Sequence, residues 1–236
     1  MTLTFPDLRN NKHPSSFSTV FIDFDGTIAK NDVTDILLRQ FASADWEEIE
    51  EEWLSGKIGA RECMSHQISL IKASPEELNA CLDQMEIDPY FIDFIEILSQ
   101  ERVNVAIVSD GLDFSIHRIL KRYNIVTVPI FANRLIYLGN DHWTLQFPYK
   151  NDTCSAGNCK CSRYNTLQRG FTLYIGDGTS DFCPSEKADL VLAKGKLADY
   201  CNKQHLNHIR IDNFSDVCAI WHQFNHQFKP FKKVAS

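Results

Sequence analysis

The hydrophobic positions of this chain fall into short runs in which successive residues, rather than alternate ones, are apolar. Such runs, rich in β-branched and aromatic residues, are typical of strands that are covered on both faces, as in a parallel sheet. We predict strands at residues 18–23, 103–108, 171–175, 190–192 and 208–211.

Segments with helical spacing of apolar residues lie between these runs, at residues 113–123, 162–168, 197–204 and 216–226. Strands that alternate with helices form right-handed βαβ units. The order therefore predicts an α/β fold built on a doubly wound parallel sheet. Residues 130–147 depart from this pattern, because two β-leaning stretches flank Leu138-Gly139-Asn140-Asp141, which predicts a hairpin.

Residues 32–90 carry helical patterns and no convincing strand. The stretch Ser74-Pro75-Glu76-Glu77 is a strong helix start, because it places Ser at the N-cap, Pro at the first helical position and Glu at the third. We predict a small α-helical cap domain at residues 32–90, inserted after the first strand. Residues 1–31 and 91–236 then form the α/β core domain, of which residues 1–17 are a loose leader.

The composition and charge of the chain indicate which kinds of partner and which cellular compartment to expect. Of the 236 residues, 44% are hydrophobic, which is enough for a sizeable core, and the net charge of -7 without a basic run predicts that the protein binds no nucleic acid. The N-terminal segment lacks a secretory signal, and the sequence has no run long enough to span a bilayer. We therefore predict a cytoplasmic protein that is not associated with a membrane and whose eight cysteines are mostly reduced thiols.

The first chemical motif ends the first predicted strand. Asp23 and Asp25 lie two positions apart, so on an extended backbone both carboxylates face the same side. Gly26 allows a sharp turn and a close approach to a phosphate, and Thr27 offers a hydroxyl and a backbone N–H. Taken alone, this motif is equally compatible with an acidic turn without catalytic function.

A second acidic motif argues against a turn without catalytic function. Asp177 and Asp181 follow another predicted strand, and ligands of open α/β sheets bind at the carboxyl ends of the strands. Four carboxylates at one sheet edge would repel one another unless a cation lay between them. Because all of these ligands are oxygens, we predict Mg²⁺ rather than a transition metal.

Groups that can hold a phosphate follow two further segments. Ser109-Asp110-Gly111 ends the predicted strand at 103–108 and supplies a hydroxyl and backbone N–H groups, and Lys160 supplies a cation just before a helix. Together with the two acidic motifs they provide a nucleophile, a metal site and donors for the charged phosphoryl oxygens.

These four segments, in this order, resemble the signature of the haloacid dehalogenase (HAD) superfamily from Phe17 to about Ile211. The resemblance implies a Rossmannoid core with an α-helical cap, as in the phosphoserine phosphatase-like branch. It implies that Asp23 is the nucleophile and that Asp25 is the general acid and base. It also implies metal ligands at the Asp23 side chain, the Asp25 carbonyl, Asp177 and Asp181, and phosphate ligands at Ser109, Asp110, Gly111, Lys160 and Thr27.

The expected substrate is a small phosphomonoester. The segment from Cys154 to Cys161 is similar to methionine-salvage phosphatases and to phosphocholine and phosphoethanolamine phosphatases, and residues 59–64 and 200–208 resemble the salvage group more. Phosphoserine phosphatases fit less well, because Gln67 stands where they carry an arginine that grips the substrate carboxylate. Asp32 aligns with the acid that meets the serine amine, so an amine-bearing substrate stays open.

Two other functions are compatible with the same fold, namely a phosphotransferase and a catalytically silent binding protein. A phosphotransferase would hand the phosphoryl group to an alcohol instead of water. A catalytically silent protein that binds phosphorylated ligands is disfavoured, because the nucleophile and the metal carboxylates are present. A zinc site at Cys154, Cys159 and Cys161 lacks an evident fourth ligand, so reduced thiols or a reversible disulfide are favoured there. The sequence leaves the oligomeric state open.

Overall fold

The computed structural model describes residues 17–228, with side chains to residue 224. A seven-stranded sheet in the order β4-β3-β2-β1-β5-β6-β7 forms its centre. The strands are β1 Thr19–Ile22, β2 Asn104–Leu112, β3 Ile130–Gly139, β4 His142–Gln146, β5 Thr172–Gly176, β6 Leu190–Ala193 and β7 His208–Arg210. The proposed leader falls almost entirely outside the described residues.

The sheet is parallel apart from β4, which pairs antiparallel with β3. Strand β1 lies in the middle, where Phe21 is paired with Ala106 of β2 and with Tyr174 of β5. All four residues of β1 are buried, which explains why Val20, Phe21 and Ile22 are apolar at successive positions, and the hydroxyl of the remaining residue, Thr19, donates to Arg169 O. The predicted α/β sheet is confirmed, and β3 and β4 form the predicted hairpin.

Ten α-helices connect and cover the strands in the described part of the chain. They are α1 Val33–Phe41, α2 Asp45–Leu54, α3 Ala60–Ser69, α4 Pro75–Leu82, α5 Tyr90–Gln100, α6 Asp113–Arg122, α7 Lys160–Leu167, α8 Phe182–Ser185, α9 Gly195–Lys203 and α10 Phe214–Phe228. Helix α5 was not predicted. Its sequence is largely apolar, and it buries Phe91, Phe94 and Leu98, so its hydrophobic run did not distinguish a helix from a strand.

Helices α1 to α4 form the insert between β1 and α5, in agreement with the helical pattern of residues 32–90. The capping box at Ser74 is present, because its hydroxyl accepts from the Glu77 N–H and the Glu77 carboxylate accepts from the Ser74 N–H. One hydrophobic core runs through both parts and joins Leu37 and Leu78 of the insert to Ile22 and Ile107 of the sheet. The domain boundaries at 31/32 and 90/91 stay a prediction.

Candidate active site

Asp23 lies at the carboxyl end of the central strand and is 5% exposed. Its N–H continues the ladder by donating to Ile175 O at 2.9 Å. Its Oδ1 accepts from the Phe24 N–H at 2.8 Å and lies 2.7 Å from Lys160 Nζ. Burial and the neighbouring Asp181 carboxylate raise the pKa of Asp23 well above its usual range, although Lys160 lowers it. The site is therefore arranged around a buried carboxylate that a cation stabilises.

Asp25 faces the start of the insert and the second sheet strand. Its Oδ1 accepts from the Val33 N–H at 2.9 Å, and its Oδ2 accepts from Ser109 Oγ at 3.3 Å. Burial, followed by repulsion from Asp32, raises the pKa of Asp25 to about 7. A carboxyl group with such a pKa exchanges its proton near neutral pH, which suits a general acid and base.

Gly26 brings the first acidic motif against the second. It has φ +68°, a left-handed conformation that glycine adopts readily, and a Cβ at this position would lie 2.6 Å from Asp177 Oδ2. The next residue, Thr27, donates its hydroxyl to Asp177 Oδ1 at 2.8 Å. The Thr27 hydroxyl thus supports Asp177 here, and its role as a phosphate donor stays a prediction.

The side chains of Asp23, Asp177 and Asp181 form a group that could hold a metal ion, with one ligand atom from each within 4.8 Å of the others. Burial also raises the pKa of Asp177. Among residues 17–224, Lys160 supplies the one buried ammonium group that contacts this cluster, so three carboxylates keep a net negative charge and the donor set is rich in oxygen. That chemistry fits a hard divalent cation.

Asp181 is fully buried and is held by donors on both oxygens. Its Oδ1 accepts from Lys160 Nζ and from the Tyr174 hydroxyl, each at 2.7 Å. Its Oδ2 accepts from the N–H groups of Asp177 and Gly178, each at 3.0 Å. Asp181 therefore fixes both the Asp177 turn and Lys160, and a direct bond from it to a metal would compete with these four donors.

The predicted phosphate turn ends β2 beside Asp25. The Ser109 side chain is almost fully buried, and its Oγ accepts from the Gly111 N–H at 2.9 Å. The Asp110 carboxylate points elsewhere, since its Oδ1 accepts from the Asn158 N–H at 2.8 Å and from Asn133 Nδ2 at 3.2 Å. Asp110 thus anchors the turn in this structure, and its predicted contact with phosphate stays untested.

A cavity of about 500 Å³ opens above these groups, between the sheet edge and the insert. The insert contributes its acidic and apolar lining, namely Asp32, Asp35, Leu38, Glu50, Trp53, Ala60, Met64 and Gln67. Asp32 accepts from the Asp35 N–H at 3.0 Å as the N-cap of α1. Gln67 is buried and donates to Glu50 Oε2 at 2.8 Å and to Trp46 O. Both specificity residues predicted from sequence therefore lie at the cavity, and their effect on substrates stays a prediction.

Cysteines border the same cavity. Cys161, in the first turn of α7, forms a disulfide with Cys183 of α8, and the other six cysteines are free thiols. The pairing uses one of the three sulfurs considered for zinc, so that three-thiolate site is not formed. Most cysteines are reduced, as predicted, and the exception joins the segment that holds Lys160 to the segment that follows Asp181.

Some residues of this site escaped the sequence analysis. Tyr174 reaches Asp181 from within β5, Asn158 and Asn133 hold the phosphate turn, and Glu50 lies in the cavity wall. Tyr174 stands three positions before Asp177 in an apolar strand, where a hydroxyl must find a partner once it is buried. Asn158 lies two positions before Lys160, between Cys154 and Cys159, and no pattern in that segment distinguishes it.

Comparison with known proteins places the chain among phosphatases. The model of the family described as "Putative Phosphatase" matches residues 18–223, which include every predicted catalytic, metal and phosphate residue. The chain belongs to this phosphatase family. The predicted resemblance to HAD-type phosphatases, and with it the prediction of an enzyme, is confirmed.

Curated relatives of this phosphatase cover most of its length. One from Brevibacillus brevis, named 2-hydroxy-3-keto-5-methylthiopentenyl-1-phosphate phosphatase, is 31% identical over 212 residues, which are 86% of this chain and 95% of the relative. A relative of the same name from Exiguobacterium sp. is 28% identical over 208 residues, covering 85% of this chain and 95% of the relative.

Solved structures resemble the phosphatase at lower identity. A phosphoserine phosphatase described as a phospho-aspartyl intermediate analogue matches with a TM-score of 0.63 and 19% identity, covering 87% of this chain and 99% of the other. A phosphoserine phosphatase from T. onnurineus matches with a TM-score of 0.65 and 16% identity, covering 90% and 98%. These likenesses show the fold. In residues 17–228, no helix has both the length and the apolar character to cross a bilayer.

Proposed function

We propose that this phosphatase hydrolyses a small phosphomonoester with Mg²⁺, through a phosphoryl group carried by Asp23, and that its substrate is 2-hydroxy-3-keto-5-methylthiopentenyl-1-phosphate. The observation that carries the reaction type is the buried contact of Asp23 with Lys160, beside Asp177 and Asp181 and below an open cavity. The substrate comes from the names of the curated relatives. The cytoplasmic location expected from sequence suits a small metabolite as substrate.

The reaction has two steps at the same phosphorus atom. In the first, an Asp23 carboxylate oxygen attacks phosphorus, the bond to the ester oxygen breaks, and the Asp25 carboxyl group gives its proton to that leaving oxygen. In the second, ionised Asp25 takes a proton from water, and the resulting hydroxide attacks the phosphoryl group and releases phosphate from Asp23. Each residue ends in its starting protonation state, so the cycle balances.

The surrounding donors stabilise the charge that moves during both steps. Lys160 Nζ lies 2.7 Å from Asp23 Oδ1, so its positive charge would offset the negative charge of a phosphoryl group carried by Asp23. Ser109, whose hydroxyl donates to Asp25, and the N–H groups of its turn would supply further donors. Asp23 and Asp177, together with the main-chain carbonyl of Asp25 that the family resemblance implies, would hold Mg²⁺. When bound, the ion supplies positive charge that offsets repulsion between Asp23 and the phosphate.

We expect phosphatase activity to depend on an added divalent cation. Treatment with EDTA should lower the hydrolysis of p-nitrophenyl phosphate by at least about 100-fold, because Asp23 would then face a phosphate dianion without the charge of the metal and with Lys160 as the cation that contacts it. Mg²⁺ should restore the rate, whereas the larger Ca²⁺ should restore little, because it prefers more ligands and longer bonds. An EDTA-treated enzyme that keeps its full rate would contradict the metal requirement.

The cavity wall bears on the choice of substrate. Leu38, Trp53 and Met64 offer apolar and polarisable surface that suits a methylthio group. None of the described residues that line the cavity is Lys, Arg or His, and the wall instead carries Asp32, Asp35 and Glu50. A substrate carboxylate would meet these acidic groups without a counter-charge, and the side chain of Gln67 is occupied by Glu50. The wall therefore favours a substrate with no negative charge beyond its phosphate.

We expect the enzyme to prefer the methylthiopentenyl phosphate to phosphoserine by at least about 100-fold in kcat/KM, since an unpaired charge in a pocket is strongly rejected. The measurement is phosphate release from both compounds at saturating Mg²⁺, with p-nitrophenyl phosphate as a reference for intact chemistry. Phosphoserine hydrolysed as well as the methylthio compound would contradict the assignment.

The acidic wall favours phosphocholine or phosphoethanolamine as a second candidate, because a cationic head could lie near Asp35 and Glu50 and against the Trp53 ring. Both compounds belong in the same panel. Replacement of Glu50 by Gln separates the candidates, because it should lower the rate for phosphocholine relative to the methylthio substrate only if the wall binds a cation.

A further inference from the structure

The turn that carries Ser109 is fastened to the segment that carries Lys160 by one buried amide. Asn158 is 1% exposed, and its Nδ2 donates to Ser109 O at 2.8 Å and to Phe131 O at 2.6 Å. Its backbone N–H donates to Asp110 Oδ1 at 2.8 Å. Three hydrogen bonds thus run from a single residue to the last part of β2 and the beginning of β3.

The direction of these bonds leaves one orientation for the amide. Both partners of the side chain are carbonyl oxygens, which accept only from an N–H, so a flipped amide would place Oδ1 against two acceptors. Asn158 Oδ1 itself has no hydrogen-bond partner in the structure. The contacts of this side chain with the protein are therefore made by its two Nδ2 donors.

A second buried amide holds the same turn from β3. Asn133 is fully buried, and its Nδ2 donates to Asp110 O at 2.6 Å and to Asp110 Oδ1 at 3.2 Å. Gly157 lies against it so closely that a Cβ on Gly157 would be 2.7 Å from Asn133 Oδ1. The residues before Lys160 are thus packed and hydrogen-bonded onto the Ser109–Gly111 turn.

Lys160 follows Asn158 by two positions and begins α7. Its ammonium group is fixed by Asp23 and Asp181, each at 2.7 Å, while Ser109 Oγ contacts Asp25 on the other side of the site. The two groups proposed to hold phosphate therefore belong to separate segments of the chain. Among the described contacts, Asn158 is the side chain that bonds Ser109 from the segment of Lys160.

We infer that Asn158 is a positioning residue that sets the separation of the Ser109 turn and Lys160, and thereby the affinity of the site for a phosphoryl group. The inference rests on the proposed phosphatase reaction. Loss of both Nδ2 donors removes the side-chain bond from this segment to the Ser109 carbonyl and leaves the bond from the Asn158 N–H to Asp110, so the turn is held less firmly relative to Lys160. A displacement of about 1 Å at a reacting group lowers rates by up to ~100-fold. The metal carboxylates Asp23 and Asp177 make no contact with this amide, so metal binding is unaffected.

The test compares Asn158→Ala with the wild type on p-nitrophenyl phosphate. The expected result is a fall in kcat/KM of about 30-fold, a parallel rise in the inhibition constant of inorganic phosphate, and an unchanged Mg²⁺ concentration for half-activation. Asn158→Ser keeps one side-chain donor, so its kcat/KM and its inhibition constant for phosphate should lie between those of Asn158→Ala and the wild type. It replaces the Ala variant in the comparison if that protein does not fold.

Thr172→Val provides the matched control. Thr172 is likewise fully buried, and its hydroxyl bonds to Asp189 Oδ2 at 2.8 Å and to the Tyr164 hydroxyl at 2.7 Å, at the far end of the sheet from the site. It should lower the melting temperature without changing phosphate inhibition. If the wild type is active and the Asn158 variants bind phosphate as tightly as the Thr172 variant, the inference is wrong. A wild type without activity overturns the proposed reaction instead.

Discussion

Replacement of Asp23 by Asn is expected to abolish phosphatase activity, with a loss of at least about 1,000-fold in kcat. The amide keeps the size of the side chain and can still accept from the Phe24 N–H, but it has no anionic oxygen to attack phosphorus. The measurement is single-turnover and steady-state hydrolysis of p-nitrophenyl phosphate at saturating Mg²⁺.

The same variant should fold at least as well as the wild type when metal is absent. The Asp23 carboxylate is buried beside Asp181 and Asp177, and its raised pKa reports that its charge is unfavourable in the folded protein. A neutral amide removes that repulsion, so the melting temperature in EDTA should stay constant or rise. Loss of activity can then be separated from loss of structure.

Asp199→Asn is the control for this substitution, because Asp199 forms an exposed ion pair with Arg210 away from the site. Such pairs contribute little to stability, and this variant should keep full activity. If the Asp23 variant shows substantial turnover in a preparation free of wild-type enzyme, Asp23 is not the nucleophile.

The convergence of the main site residues was predictable from the chain. Parallel strands begin on one side of a sheet and end on the other, so residues that follow β1 and β5 must meet those in the last part of β2 at one edge. That argument alone brings Asp23, Ser109 and Asp177 together. It needs only the strand positions, which buried apolar runs reveal.

The supporting contacts were not predictable, because they depend on distances that a linear pattern does not encode. Thr27 is 150 positions from Asp177, yet its hydroxyl lies 2.8 Å from that carboxylate. Tyr174 and Lys160 share one oxygen of Asp181, which the sequence presents simply as a further metal carboxylate. The role of a buried polar side chain depends on which neighbour forms its hydrogen bond, and the tertiary packing determines that neighbour.

The insert was harder to interpret than the sheet for a related reason. Its helices were evident from Ser74 and the apolar spacing behind it. The apolar spacing did not single out the side chains that these helices turn toward the cavity, such as Glu50 and Trp53. A helix with one polar and one apolar face does not reveal whether its polar face meets solvent or substrate.

Lys160→Met is expected to lower kcat/KM by about 1,000-fold, because it removes the one cation that contacts Asp23 among the described side chains. Met has a similar length and is apolar, so the buried space stays filled. Burial alone would lower the pKa of Lys160, but the carboxylates of Asp181 and Asp23 raise it above its usual range, so the wild-type residue is charged. Steady-state kinetics with p-nitrophenyl phosphate provide the measurement.

The same substitution should also destabilise the metal-free protein, by about 3–5 kcal/mol, because Asp23 and Asp181 lose their shared counter-ion. Carboxylates whose folded pKa lies above the unfolded value bind protons more tightly in the folded state, so stability falls as pH rises above about 4. The unfolding midpoint of the variant in EDTA should therefore fall between pH 5 and pH 8 more steeply than that of the wild type, and Mg²⁺ should restore part of it.

The control is Lys203→Met, at an exposed position in the last turn of α9. It removes the same charge from the chain, so net charge alone cannot account for a difference between the two variants. If the Lys160 variant kept wild-type kinetics and an unchanged pH profile of unfolding, Lys160 would be a replaceable buried residue. If only its stability changed, Lys160 would stabilise the carboxylates but not the phosphoryl group. The negative charge on the phosphoryl oxygens would then be stabilised by the metal and the Ser109 turn.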